Sequence, residues 1–120
     1  MSRLFVNVTT GPENPTRAAL AFLVGRAALK SGHDVDLFLG GDAVGLLRPA
    51  TIDALQGIGT GSLREHVDAL TAGGARFFAS AMSSKARAVD AEAVGGIAVE
   101  FVLPDRVVEL VFEADRVISY

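Results

Sequence analysis

The chain has 120 residues, two His, no Cys and a formal net charge of −3. That length suits one domain around one core. The missing Cys excludes disulfides, thiolate metal sites and thiol or persulfide catalysis by this chain alone. The acidic balance, with no basic run, argues against nucleic acid and against an anionic membrane as main partners.

Half of the residues are hydrophobic. A small domain hides that much apolar surface in a sheet buried on both faces, or by subunit association. The most apolar run, Ala18–Val24, ends at Gly25 and Arg26, far short of the roughly 20 residues a membrane span needs. Met1 leads into an apolar segment without a basic leader, so the expected location is the cytoplasm.

In chain order, LFVNV (4–8) reads as a buried strand, followed by the loop TTGPENPT. Asn14 before Pro15 starts a helix that runs to about Ser31, and Gly32 stops it. VDLFL (35–39) is a second strand with Asp36 inside it. Residues 40–62 read as loop with one short helix near 42–47, because Pro49, Gly57, Gly59 and Gly61 break longer elements. Ser62 caps a helix over 63–72, whose apolar stripe is Leu63, Val67 and Leu70. A third strand (76–79), a short helix (83–88) and a fourth strand (97–103) follow. Pro104 opens a last helix with Val107, Val108, Val111 and Phe112 inward, and RVISY (116–120) closes as a fifth strand. Alternating strands and helices predict an α/β domain over 1–120, with an open, mostly parallel sheet of about five strands between helices. Strand order is not fixed by the sequence.

Ligands of such sheets bind beyond the carboxyl ends of the strands. Three loops qualify. Thr9, Thr10, Gly11 and Asn14 follow the first strand and can meet an anion near a helix amino end, or form a capped turn. No Gly-Lys-Ser/Thr pattern accompanies them. Gly41 lies in the loop after the second strand, where glycine also serves any tight turn. Ser80, Ser83 and Ser84 follow the third strand. A serine there needs a general base to act as a nucleophile, and none lies nearby in sequence. Hydrogen bonding or helix capping is the plainer role. Lys85 and Arg87 read as a solvated face with some chance of meeting an anion. His33 reads as a turn residue and His66 as a partly buried structural one, since no second His has ligand spacing. No metal or cofactor is expected.

Together these segments resemble the DsrE/DsrF-like family of small sulfur-relay proteins. The similarity runs from LFVNVTTGPENPT through GHDVDLFLGGDAVGLL and GARFFASAMSSKARAV to EADRVISY. It implies a three-layer α/β/α fold and a trimer or hexamer. Many members carry a sulfur-accepting cysteine ahead of a Lys-Ala-Arg-Gly-like run. Anchored on Lys85, Ala86 and Arg87, that cysteine's place falls on Ser80, and the glycine's on Ala88. The expectation is therefore a cytoplasmic homo-oligomer without thiol chemistry, binding a small anionic ligand or a sulfur-handling partner at the Thr9–Asn14, Gly41 and Ser80–Ser84 loops. Two alternatives stand beside it: an enzyme for a small anionic substrate at the Thr10 and Ser80 loops, and a purely structural subunit.

Overall fold

The first apolar run forms β1 (Arg3–Val8) and leads through the Pro/Gly loop into α1 (Pro15–Lys30). The computed structural model describes residues 2–120. Asn14 caps α1 by accepting a hydrogen bond from the Arg17 backbone N–H at 3.2 Å, with Pro15 in the first turn. After α1, Gly32 takes φ +92°, a left-handed turn open to glycine. The chain then enters β2 (Asp34–Leu39) and a 3-10 turn, Gly41–Leu47.

The stretch 48–62 is more ordered than its glycines and proline predict. Pro49 starts α2 (Pro49–Ala54), and β3 (Gln56–Gly57) pairs antiparallel with β4 (Gly61–Ser62). Proline at a first helical position costs no hydrogen bond. Gly59, at φ +74°, lies in the hairpin turn, and Gly61, at φ +83°, opens β4 just after it. Next come α3 (Leu63–Ala72), capped by Ser62, and β5 (Arg76–Ser80). α4 (Ala81–Ala86) begins two residues before the predicted start and ends two before the predicted end, because Ser80 rather than Ser83 caps it. A short α5 (Ala91–Val94), β6 (Val99–Val102), α6 (Pro104–Glu113) and β7 (Arg116–Ser119) complete the chain.

Five strands form one parallel sheet in the order β6-β5-β2-β1-β7. The chain thus moves stepwise from β1 to β6 in one direction, then crosses back to place β7 beside β1. Right-handed crossovers put connections running one way on one face and the returning connection on the other. α1 and α3 accordingly cover one face, and α6 covers the opposite face, giving three layers.

Pairing register sorts the side chains. Val6, Val8, Leu37, Leu39, Phe77 and Ala79 join the large core under α1 and α3. Phe5, Phe78 and Val102 point the other way and meet Leu110 of α6. The inward stripe of α6 is Val107, Leu110, Val111 and Ala114. Val108 and Phe112, predicted inward, are exposed at 55% and 84%. One helix over a sheet buries a narrow stripe, and residues at i, i+3, i+4 and i+7 fill it.

Candidate functional site at the strand carboxyl ends

Beyond β5 the chain bends into α4 on the α1 face, while beyond β6 it bends through Leu103 into α6 on the other face. Adjacent parallel strands whose exits diverge in this way open a crevice at their carboxyl ends. Ser80 and Val102 face each other across that point in the sheet register. One recess, of about 340 Å³, lies on the α6 side and is lined by Phe38, Ser80, Val102, Pro104, Val107 and Val108. A second, of about 350 Å³, lies between α4, α5 and Phe101.

The serine loop is tied to the loop after β2. Ser80 Oγ accepts a hydrogen bond from the Ser83 backbone N–H at 3.1 Å, which makes it the cap of α4. Ser83 Oγ accepts from the Gly41 backbone N–H at 2.9 Å. Arg87 braces the same junction: its guanidinium donates to Asp42 Oδ1 at 3.0 Å and to the Ser83 carbonyl at 3.3 Å. Arg48 donates to the Arg87 carbonyl at 2.7 Å. Arg87 is thus paired within the chain, with the Asp42 carboxylate. Ala88 follows with φ +53°, a left-handed backbone that favours glycine.

Of the residues singled out in the sequence, Gly41, Ser80 and Ser83 come together. Ser84 lies beside them but is buried, and its Oγ has no hydrogen-bond partner. Thr9, Thr10 and Asn14 are engaged elsewhere. Thr9 Oγ1 donates to the Tyr120 carbonyl at 3.3 Å, Thr10 Oγ1 accepts from Arg17 Nε at 3.2 Å, and Asn14 is the α1 cap. Gly11 joins this loop to the next: a Cβ there would clash with the Asp42 carbonyl oxygen. Only glycine permits that approach.

Among the described residues, no His or carboxylate is hydrogen-bonded to Ser80 Oγ. His66 is 3% exposed; its Nε2 lies 2.7 Å from the Thr60 carbonyl and its Nδ1 3.4 Å from Arg26. The tautomer with the proton on Nε2 satisfies both contacts. His33 is exposed and accepts from the Ser2 backbone N–H. Among the described residues no cluster of three His, Asp or Glu forms a metal site, and no helix is long and apolar enough to cross a membrane.

Sequence reasoning missed a charged cluster on the α6 face. Asp36 is fully buried and takes hydrogen bonds from Arg3 at 2.8 Å and from Arg76 at 2.7 and 2.8 Å. Its hydrogen bond with Arg76 raises that guanidinium's pKa above the usual value, despite opposing desolvation. Arg76 and Arg106 also lie against the Phe78 ring, at 5.3 and 5.8 Å. An acidic residue inside an apolar strand was the available signal.

A family match and two solved structures agree with this architecture. The sequence model of the DsrE/DsrF-like family matches residues 2–120, and the chain belongs to that family. The structure is similar to the crystal structure of the ychN protein from E. coli, at TM-score 0.80 and 18% identity, covering all of both chains. It is also similar to BT1422, a conserved protein of unknown function from Bacteroides thetaiotaomicron, at TM-score 0.71 and 14% identity. That match covers 99% of this chain and 95% of the other. These likenesses establish the fold. No curated protein matches the sequence.

Proposed function

We propose that this chain is a binding member of the DsrE/DsrF-like family, a cytoplasmic homo-oligomer that takes a small ligand or a sulfur-handling partner at the crevice beyond β5 and β6. The observation that carries this reading is the state of Ser80. It occupies the place that resemblance gives to the sulfur-accepting cysteine, and its hydroxyl caps α4. A hydroxyl stays protonated near neutral pH and needs a base to attack, and none adjoins it. Sulfur transfer through this loop would then require a partner's thiol.

Association in a trimer or hexamer is supported by exposed apolar side chains on and before α6: Leu103, Val108 and Phe112. Such groups favour burial against another surface. The direct test of binding is a thermal-shift series across small anions and carboxylates. The binding reading expects saturable stabilisation by at least one of them. A flat response throughout, from a protein that also captures no sulfur-carrying partner, contradicts it and leaves the structural-subunit reading.

A further inference from the structure

The exposed apolar side chains of this chain are not scattered. Leu103, Val108, Phe112 and Val117 all lie on or beside α6, and Phe112 is 84% exposed. Val108 and Phe112 stand four residues apart, so they share one stripe of the helix. Val117 pairs with Phe5 in the sheet register, which turns it to the same sheet face.

α6 also walls an apolar recess. The 340 Å³ space beside Ser80 is lined by Phe38, Val102, Pro104, Val107 and Val108, with no charged side chain among them. Strand alternation explains the space. Phe38, Ser80 and Val102 point to the α6 face, and Gly40, the next position of that face after Phe38, has no side chain to fill it. Its backbone is extended, at φ −122°, so glycine serves space there rather than conformation. A Cβ would come 3.1 Å from the Phe38 ring. A cavity of roughly 150 Å³ already holds benzene, so the recess has room for a phenyl ring. The chain's own Phe112 does not line it.

The charges around α6 are sorted by end. Arg106 is paired with Glu100, Glu109 and Glu113. Asp105 opens the helix and Arg116 follows its carboxyl end, and neither forms an ion pair among the described residues. Arg116 donates only to the Asp115 carbonyl, while the Asp115 carboxylate accepts from the Arg3 backbone N–H at 2.7 Å.

We infer that α6 packs antiparallel on α6 of a second copy, about a two-fold axis midway between Val108 and Phe112, so that Phe112 of each copy enters the recess beside Ser80 of the other. Four residues span about 6 Å of helix, and the two-fold sets Val108 of one copy opposite Phe112 of the other. The same operation brings Asp105 to Arg116 of the second copy, at both ends, and Leu103 toward Val117. This deepens the association reading above and rests on it: the α6 side of the crevice is completed by a residue of the neighbour. A hexamer of two trimers contains such axes, and a lone trimer does not.

The chain has no Trp, so Phe112→Trp in the full chain reports the contact directly. Its emission is expected to be blue-shifted and shielded from acrylamide in the assembly, moving to the red on dilution. Phe112→Ser and Val108→Glu, both at exposed positions, should leave the circular dichroism unchanged and halve the assembly mass in native mass spectrometry. Asp105→Arg and Arg116→Asp should each weaken association several-fold, and the double variant should restore it. A wild type of odd subunit number, solvent-like emission from Phe112→Trp in an intact assembly, unchanged mass for Phe112→Ser, or a double variant no better than the single ones overturns the inference. An assembly that survives Phe112→Ser leaves the broader association reading standing, whereas a monomeric wild type removes both.

Discussion

The two faces of the sheet are built differently. Under α1 and α3 lies a large aliphatic core, with Phe22, Leu37, Leu39, Leu63 and Leu70 all buried. On the α6 side four buried residues form the core, flanked by the Asp36–Arg3–Arg76 cluster and by exposed Val108 and Phe112. The difference follows from chain direction, since three strand-to-strand connections use one face and the last connection alone uses the other. Fold stability is concentrated under α1 and α3. The thinly covered face, and the crevice where the two faces part, are the regions that the proposed association and binding would use.

Substitutions test that contrast. The largest loss is expected for Phe22→Ala, about 3–5 kcal/mol in urea unfolding, because it opens a cavity in the thick core. An equal or greater loss for Leu110→Ala would erase the distinction between faces. Asp36→Ala should cost less, about 2 kcal/mol, through lost charged hydrogen bonds. Arg3 and Arg76 are partly exposed and regain water when the carboxylate goes. Ser80→Ala should cost about 1 kcal/mol, the typical worth of a helix cap. If some turnover is found for this protein, its survival in Ser80→Ala fits the capping role, and its abolition with α4 intact would favour the enzyme reading at the Ser80 loop. Phe112→Ser should change the intrinsic stability of the subunit by less than about 0.5 kcal/mol, as an exposed site away from the core. Light scattering is where it should act, by reducing assembly size.

Much of this was legible in the sequence. Asn14-Pro15, Gly32 and Ser62 are local signals whose chemistry acts within a turn, and the structure uses each as expected. His66 was readable as structural because no partner with ligand spacing accompanied it. The junction at Ser80 was legible because an apolar strand running into small hydroxyl residues marks a strand-to-helix turn, and Ser80 caps that helix. The misses are non-local. Val108 and Phe112 carry the right hydropathy for a core stripe, and only the placement of α6 over a single sheet face decides which residues it buries. The Asp42–Arg87 and Arg48–Arg87 contacts span 45 and 39 residues. Pro49 and Gly61 read as breakers because their type is unsuited to a helix interior, whereas they stand at a helix start and in a hairpin, where that type is suited.

Native mass spectrometry of the purified protein tests the central claim most directly, because one spectrum reports subunit number and any retained small molecule. A trimer or hexamer carrying extra mass is expected. A bare monomer at micromolar concentration would contradict it.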